Sequence, residues 1–152
     1  MTKVNLDKLQ AKSNGNIESV VAEVDLKNGA LIALGEAVDA ERELVAAVAP
    51  EGTKELLLVA APEVKADESL DQLDIVTKAG KAVRAYHLTE GDKFQVELSL
   101  FAAAPAKGDV VTGAANFGYE ANTDARTTFE VERLTTFGFD KRPMALLRVL
   151  TV

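Results

Sequence analysis

Short apolar segments separated by turn-forming residues are the feature that most constrains the fold of this chain. They recur roughly every ten residues, and Gly, Pro or Asn stands between them. In KFQVELSL (93–100), Phe94, Val96 and Leu98 alternate with polar residues, a period of two that is typical of a strand with one buried face. The spacing predicts a mainly β protein, an antiparallel β-sandwich or barrel of about seven to nine short strands with at most one short helix.

Two turn sequences predict hairpins. Asn28-Gly29 separates VAEVDL from ALIALG and fits a two-residue type I′ turn, because both residues tolerate a positive φ. Gly91-Asp92 separates the strand-like residues 82–88 from 93–100, so AVRAYHLTEGDKFQVEL (82–98) is predicted to form a second hairpin.

Two other segments are less regular. KELLLVAAP (54–62) is a continuous apolar run that ends at Pro62, and a short buried strand is its expected form. Between residues 36 and 52 the apolar residues fit helical spacing, but ELVAAVAP (43–50) also fits a strand. We favour a polar loop followed by a strand, because the surrounding segments are strand-like.

Length and charge predict an arm and one domain. A chain of 152 residues is the usual size of a single domain. The net charge is −7, but residues 1–16 carry Lys3, Lys8 and Lys12 against Asp7, a net +2 that leaves −9 for the rest. We therefore predict a flexible basic N-terminal arm (1–16) and a single β-rich domain (17–152), although a loose chain terminus explains the same pattern.

Composition excludes several classes of function. The chain has no cysteine, which excludes disulfide scaffolds and thiolate metal sites. No apolar run approaches the roughly 20 residues that span a bilayer, and MTKVNLDKLQAKSNGN lacks the apolar core of a signal peptide, so we expect no membrane partner and synthesis in the cytoplasm. The acidic balance argues against nucleic acid. Aromatic residues are only 5%, with no Trp, which disfavours an aromatic-lined ligand pocket.

His87 is the only histidine, and therefore the first candidate for catalysis. A nucleophilic triad needs a base oriented by a carboxylate, and a metal site usually needs several His or Cys ligands. No G-x-S-x-G or similar frame accompanies His87. We interpret it as an ordinary strand histidine and predict no enzymatic activity, no catalytic residue and no cofactor.

Two charged groups have alternative interpretations. Asp67, Asp71 and Asp74 would line one face of a helix, but the Gly turn and bidentate Glu of calcium loops are absent, so we favour a solvated face and predict no metal site. Basic residues make the C-terminal third less acidic than the middle, which suits either a docking face for an acidic partner or simple solubility. They are Arg126, Arg133, Lys141, Arg142 and Arg148.

Three stretches carry a resemblance to a known family. ELLLVAAPEV, AGKAVRAYHLTEGDKFQVEL and RPMALLRVL together resemble the head decoration, or capsid cement, proteins of tailed bacteriophages. The resemblance covers about two thirds of the chain, with gaps at 36–43 and 106–128, and consists of turn and strand signatures. It implies a β-rich, non-enzymatic virion protein on the capsid exterior that stabilises the capsid by bridging major capsid protein subunits, as a homo-oligomer of which a trimer is favoured.

The basic arm is the expected docking segment under this hypothesis. The candidate capsid-binding residues are Lys3, Lys8, Lys12, Asn14 and Asn16. The alternative hypothesis is a β-sandwich binding module for a cell-surface carbohydrate or protein. A carbohydrate module needs exposed aromatic side chains on loops, and Phe117 and Tyr119 in NFGYEA are the candidates.

Overall fold

The computed structural model describes residues 4–10, 17–39, 41–61, 76–139 and 141–152, with the backbone alone for 4–10. Thirteen strands and one 3₁₀ turn, Leu98–Leu100, lie within these residues. The strands are β1 (Val4–Gln10), β2 (Ile17–Val21), β3 (Leu26–Lys27), β4 (Leu31–Asp39), β5 (Leu44–Val48), β6 (Leu56–Val59), β7 (Val76–Thr77), β8 (Ala82–Tyr86), β9 (Lys93–Glu97), β10 (Val110–Gly113), β11 (Tyr119–Ala121), β12 (Thr128–Phe137) and β13 (Arg142–Thr151).

Five of the strands close into a small barrel in the order β2-β5-β4-β6-β8. The β2–β5 pair is parallel and the other pairs are antiparallel. The interior is filled by small and branched side chains, including Val20, Ile32, Leu57 and Val59. The predicted strand at ELVAAVAP is confirmed as β5, and the helical alternative for that segment is wrong.

The other main element is a six-stranded antiparallel sheet in the order β1-β9-β13-β12-β10-β11, which covers one side of the barrel. Its inner face contributes Phe94, Phe129 and Leu147 to a core that also contains Leu31 and Leu58 from the barrel. Residues of β4 and β6 therefore alternate between the barrel interior and the sheet interface. Because both faces are covered, the run at ELLLV is continuously apolar, and the buried strand predicted there is confirmed.

The prediction of a mainly β, antiparallel fold with at most one short helix is confirmed within the described residues. The structure combines a closed barrel with an open sheet. Its thirteen described strands exceed the expected seven to nine, partly because β3 and β7, which pair with each other, have only two residues each.

The type I′ hairpin predicted at Asn28-Gly29 is wrong. β2 pairs with β5 and β8, whereas β4 pairs with β5 and β6. Ala30 N–H donates to the Lys27 carbonyl, but of the two central residues only Gly29 has a positive φ, a feature of type II turns. The buried Asn28 amide accepts from Ala61 N–H at 2.8 Å and donates to its carbonyl, so the turn is fixed to the end of β6.

The second predicted hairpin, residues 82–98, is also wrong. β8 lies in the barrel and β9 lies in the six-stranded sheet, so the segment crosses between the two parts of the fold. The predicted turn is present, because the Asp92 carboxylate accepts from Thr89 N–H at 2.9 Å and Gly91 has a φ of 91°. Gly91 N–H then donates to the Val149 carbonyl of β13, which directs the chain into the sheet.

Candidate functional site

His87 follows β8 at one end of the barrel and lies between two carboxylates. Its Nδ1 is 3.1 Å from Oε1 of Glu55, which precedes β6, and its Nε2 is 3.2 Å from Oε1 of Glu18 on β2. The imidazole side chain is only 15% exposed. A protonated imidazole donates from both nitrogens and satisfies both contacts, whereas the neutral form donates from only one.

The surroundings of His87 favour its charged form. Burial is the largest single influence and lowers the pKa, but the hydrogen bonds and charges of Glu55 and Glu18 together outweigh it. The pKa of His87 is therefore raised from its ordinary 6.5.

The geometry makes His87 a bridge that joins three parts of the barrel. Both ring nitrogens contact carboxylates, so the ring connects β2, the start of β6 and the end of β8. The interpretation of an ordinary strand histidine missed this role, because Glu55 and Glu18 are 32 and 69 residues away in the sequence. No local motif carries that information.

The second feature is the end of the β12–β13 hairpin. β9 pairs with β13 as far as Met144, and β10 pairs with β12 at Phe129 and Glu130. The hairpin continues beyond both neighbours to the pair Phe137↔Arg142. Its turn has positive φ angles at Gly138 and Lys141, with Lys141 N–H donating to the Gly138 carbonyl. This outer part of the hairpin therefore projects from the sheet.

Phe139 lies at the tip and its side chain is fully exposed. A buried ion pair lies just behind it: Nη1 of Arg142 is 3.8 Å from Oε2 of Glu97 on β9, and the two side chains are 6% and 11% exposed. Oε2 accepts no hydrogen bond from the described residues, so the contact is one of charge. The apolar tip thus stands on a base that is anchored to the sheet. The sequence analysis does not identify this exposed tip, because FGF (137–139) fits the continuation of an alternating strand.

The third feature is an apolar groove of about 830 Å³ along the barrel. Its lining includes Val21 of β2, Val38 of β4, Val48 of β5 and the ring of Phe117. Val38 is 59% exposed and Val24, also in the lining, is 44% exposed. Small residues such as Ala46 and Ala79 complete the walls.

The predicted capsid-binding residues fall mostly outside the described part of the chain. Lys3, Lys12, Asn14 and Asn16 are outside it, and so are Asp67, Asp71 and Asp74 of the acidic segment. Lys8 lies in β1, whose backbone runs antiparallel to β9. The docking role of these residues stays a prediction.

The loop aromatics proposed for carbohydrate binding are not exposed as expected. Tyr119 is completely buried, donates its hydroxyl to the Gly29 carbonyl at 2.7 Å, and stacks on Phe101. Burial raises the pKa of Tyr119 well above 10.0. Phe117 is half-buried and packs against the barrel core. Tyr119 therefore offers no open face on which a sugar could stack, whereas Phe117 lines the apolar groove.

The C-terminal basic residues do not form one uniform face. Arg126, Arg133 and Lys141 are exposed, but Arg142 is buried against Glu97. Nη2 of Arg148 lies 3.9 Å from Oε1 of Glu132, and Nζ of Lys93 lies 3.0 Å from the same oxygen. Of this group, Arg133 on β12 and Lys141 in the turn are exposed on the β12–β13 hairpin near its tip.

Among the residues that the structure describes, no helix is long and apolar enough to cross a membrane. Comparison of the chain with protein-family models, with curated proteins and with solved structures found no match.

Proposed function

We propose that this protein is a non-enzymatic structural component of a tailed-phage virion that binds the outer surface of the capsid and bridges major capsid protein subunits. The identity of the partner rests on the resemblance carried by ELLLVAAPEV, AGKAVRAYHLTEGDKFQVEL and RPMALLRVL. The virion exterior as its location, and a homo-oligomer with a trimer favoured, belong to the same proposal.

The observation that carries a docking role is the position of β1. The backbone of Val4–Gln10 pairs with β9 and forms the outermost strand of the six-stranded sheet. No described strand pairs with the other edge of β1. The N–H and C=O groups at such an edge can bind a strand from another protein, with main-chain hydrogen bonds providing affinity.

The charge of the N-terminal segment adds to this support. Lys3, Lys8 and Lys12 give residues 1–16 a net charge of +2 on a chain whose overall charge is −7. An open strand edge with nearby cations suits an extended segment of a partner that carries carboxylates. We therefore assign capsid contact to residues 1–16.

Charge reversal in the full-length chain tests this function. The variant carries Lys3→Glu, Lys8→Glu and Lys12→Glu, and its matched control carries Lys→Arg at the same positions. We expect the control to cosediment with undecorated heads of a tailed phage that encodes this chain and to raise their resistance to heat or chelator. The reversed variant should lose at least about tenfold in affinity, a difference of roughly 1.4 kcal/mol.

Two outcomes oppose the proposal in different ways. Wild-type protein that neither cosediments with the heads nor protects them contradicts the capsid function. A charge-reversed variant that binds as tightly as the control removes the lysines of residues 1–16 from the interface.

A further inference from the structure

The β12–β13 hairpin exposes more apolar surface than its tip alone. Besides Phe139, it carries Leu134, which is 46% exposed, and the exposed Pro143. Thr136 pairs with Pro143, and Leu134 is two residues from Thr136 on the same strand, so Leu134 and Pro143 lie on one face of the hairpin. A single exposed apolar residue needs no explanation, but an anchored hairpin with an apolar face and an aromatic tip is suited to insertion into a partner.

The apolar groove on the barrel is complementary in shape and polarity to the tip of the hairpin. It is open to solvent, lined by valine and alanine side chains, and flanked by the exposed Val24 and Val38. Its volume of about 830 Å³ is ample for one aromatic ring together with part of a hairpin turn. Small side chains in the walls leave room for a bulky side chain from outside.

The charges around the two surfaces are opposite. On the hairpin, the exposed Arg133 and Lys141 outnumber one acidic residue of the turn sequence, Asp140. At the groove, Glu23 in the lining and the exposed Glu36 on β4 outnumber one exposed lysine next to the lining, Lys81. The nearby cations Lys78 and Arg42 already pair with Asp25 and Asp39. The rim of the groove therefore carries a small excess of negative charge and the end of the hairpin a small excess of positive charge, which favours their association.

We propose that the β12–β13 tip of one copy of this chain inserts Phe139 into the barrel groove of a second copy. The tip belongs to the sheet and the groove to the barrel, and the fully exposed Phe139 does not occupy the groove of its own chain. Each copy therefore presents one tip and one groove. Such a head-to-tail contact closes into a ring or continues as a chain. It does not depend on the capsid function.

Sedimentation velocity over a range of protein concentrations tests the contact. Wild-type protein should form species larger than a monomer, whereas Phe139→Ser and Val38→Asp should each sediment as monomers. Phe139→Leu is the matched control, because it keeps an apolar tip, and it should retain association. Circular dichroism of each variant establishes that it is folded.

Mixing the two defective variants tests the head-to-tail geometry. Phe139→Ser keeps an intact groove and Val38→Asp keeps an intact tip, so an equimolar mixture has one functional contact per pair. We expect the mixture to form a dimer and nothing larger. Raising the salt concentration should weaken this dimer because it screens the charges of the rim.

Several results would overturn the contact. They are a monomeric wild-type chain at up to millimolar concentration, a Phe139→Ser variant that associates like wild type, and a mixture that stays monomeric. The Lys→Glu variant of residues 1–16 should self-associate normally. Loss of capsid binding in that variant, with no effect of Phe139→Ser on association, would leave the proposed function standing and remove the tip-to-groove contact.

Discussion

Two of the three phenylalanines in the β12–β13 hairpin lie in opposite environments. Phe129, in the inner part, is completely buried and packs edge-to-face on Phe94 with ring centroids 5.5 Å apart. Phe139, at the tip, is fully exposed. The same two-stranded element thus supports the core at one end and presents an apolar surface at the other. Aromatic residues in this fold contribute to stability or to association according to their position along a single hairpin.

The largest effect is expected from breaking the inner part of the hairpin. Phe129→Ala removes a ring from the sheet–barrel core and should lower the free energy of unfolding by about 3–5 kcal/mol. Urea denaturation at low protein concentration measures this loss. Phe129→Leu, which keeps most of the volume, should lose less than about 1.5 kcal/mol. Equal losses for the two variants would contradict tight packing around Phe129.

The next largest effect is expected where the outer part joins the sheet. Arg142→Met leaves the buried Glu97 carboxylate without its cation, and should lower the free energy of unfolding by about 3 kcal/mol. The double variant Glu97→Leu with Arg142→Met removes both charges, so it should be more stable than Arg142→Met alone. Urea denaturation of both variants at pH 7 gives the two free energies of unfolding to compare. A double variant that is less stable than the single would mean that the pair does not hold the base of the hairpin.

The His87 bridge, remote from the hairpin, should make a smaller and pH-dependent contribution. The pKa of His87 is raised in the folded chain, because Glu55 and Glu18 outweigh the effect of burial. Its contribution is therefore complete below the unfolded pKa of about 6.5 and is lost as the pH rises through the folded value. Partial exposure of the Glu18 and Glu55 carboxylates reduces this contribution, because solvent screens their charges.

Unfolding free energies measured from pH 5 to pH 9 test the bridge. The wild-type chain should lose stability relative to His87→Gln as the pH rises over this range, because the raised pKa of His87 in the folded chain makes its protonated form the stabilising one. Glu55→Gln keeps a hydrogen-bonding group but removes a charge, so its loss should be smaller than that of wild type. Parallel pH profiles for wild type and His87→Gln would show that the imidazole does not bridge the two carboxylates.

Local patterns in the sequence predicted the strands but not their partners. A strand with one buried face alternates apolar and polar residues, and a strand with two buried faces is continuously apolar. The first pattern identifies the strand around Phe129 and Val131, and the second identifies Leu56–Val59. The type I′ hairpin predicted at Asn28-Gly29 is wrong, because the buried Asn28 amide bonds Ala61, 33 residues away. The Gly91-Asp92 pair correctly predicts a turn, but the strands on its two sides do not pair, because the chain passes there from the barrel into the sheet.

The candidate sites were harder to predict for the same physical reason. The position of His87 between Glu18 and Glu55 depends on how three barrel elements meet, which no spacing in the sequence encodes. The exposure of Phe139 depends on how far β12 and β13 extend beyond their neighbours. The sequence analysis assigns Lys8 to a basic arm, and the structure places it in β1. The contact it makes with a partner is a property of a complex.

The most direct test of the division between the two ends of the hairpin is to measure stability and association in the same variant, Phe139→Ser. Unfolding is measured at a protein concentration below the onset of association, because binding would add to the apparent stability. We expect a free energy of unfolding within about 0.5 kcal/mol of wild type, as for other surface substitutions, together with complete loss of self-association. A variant that associates like wild type, or that loses several kcal/mol of stability, would contradict the assignment of the tip to binding.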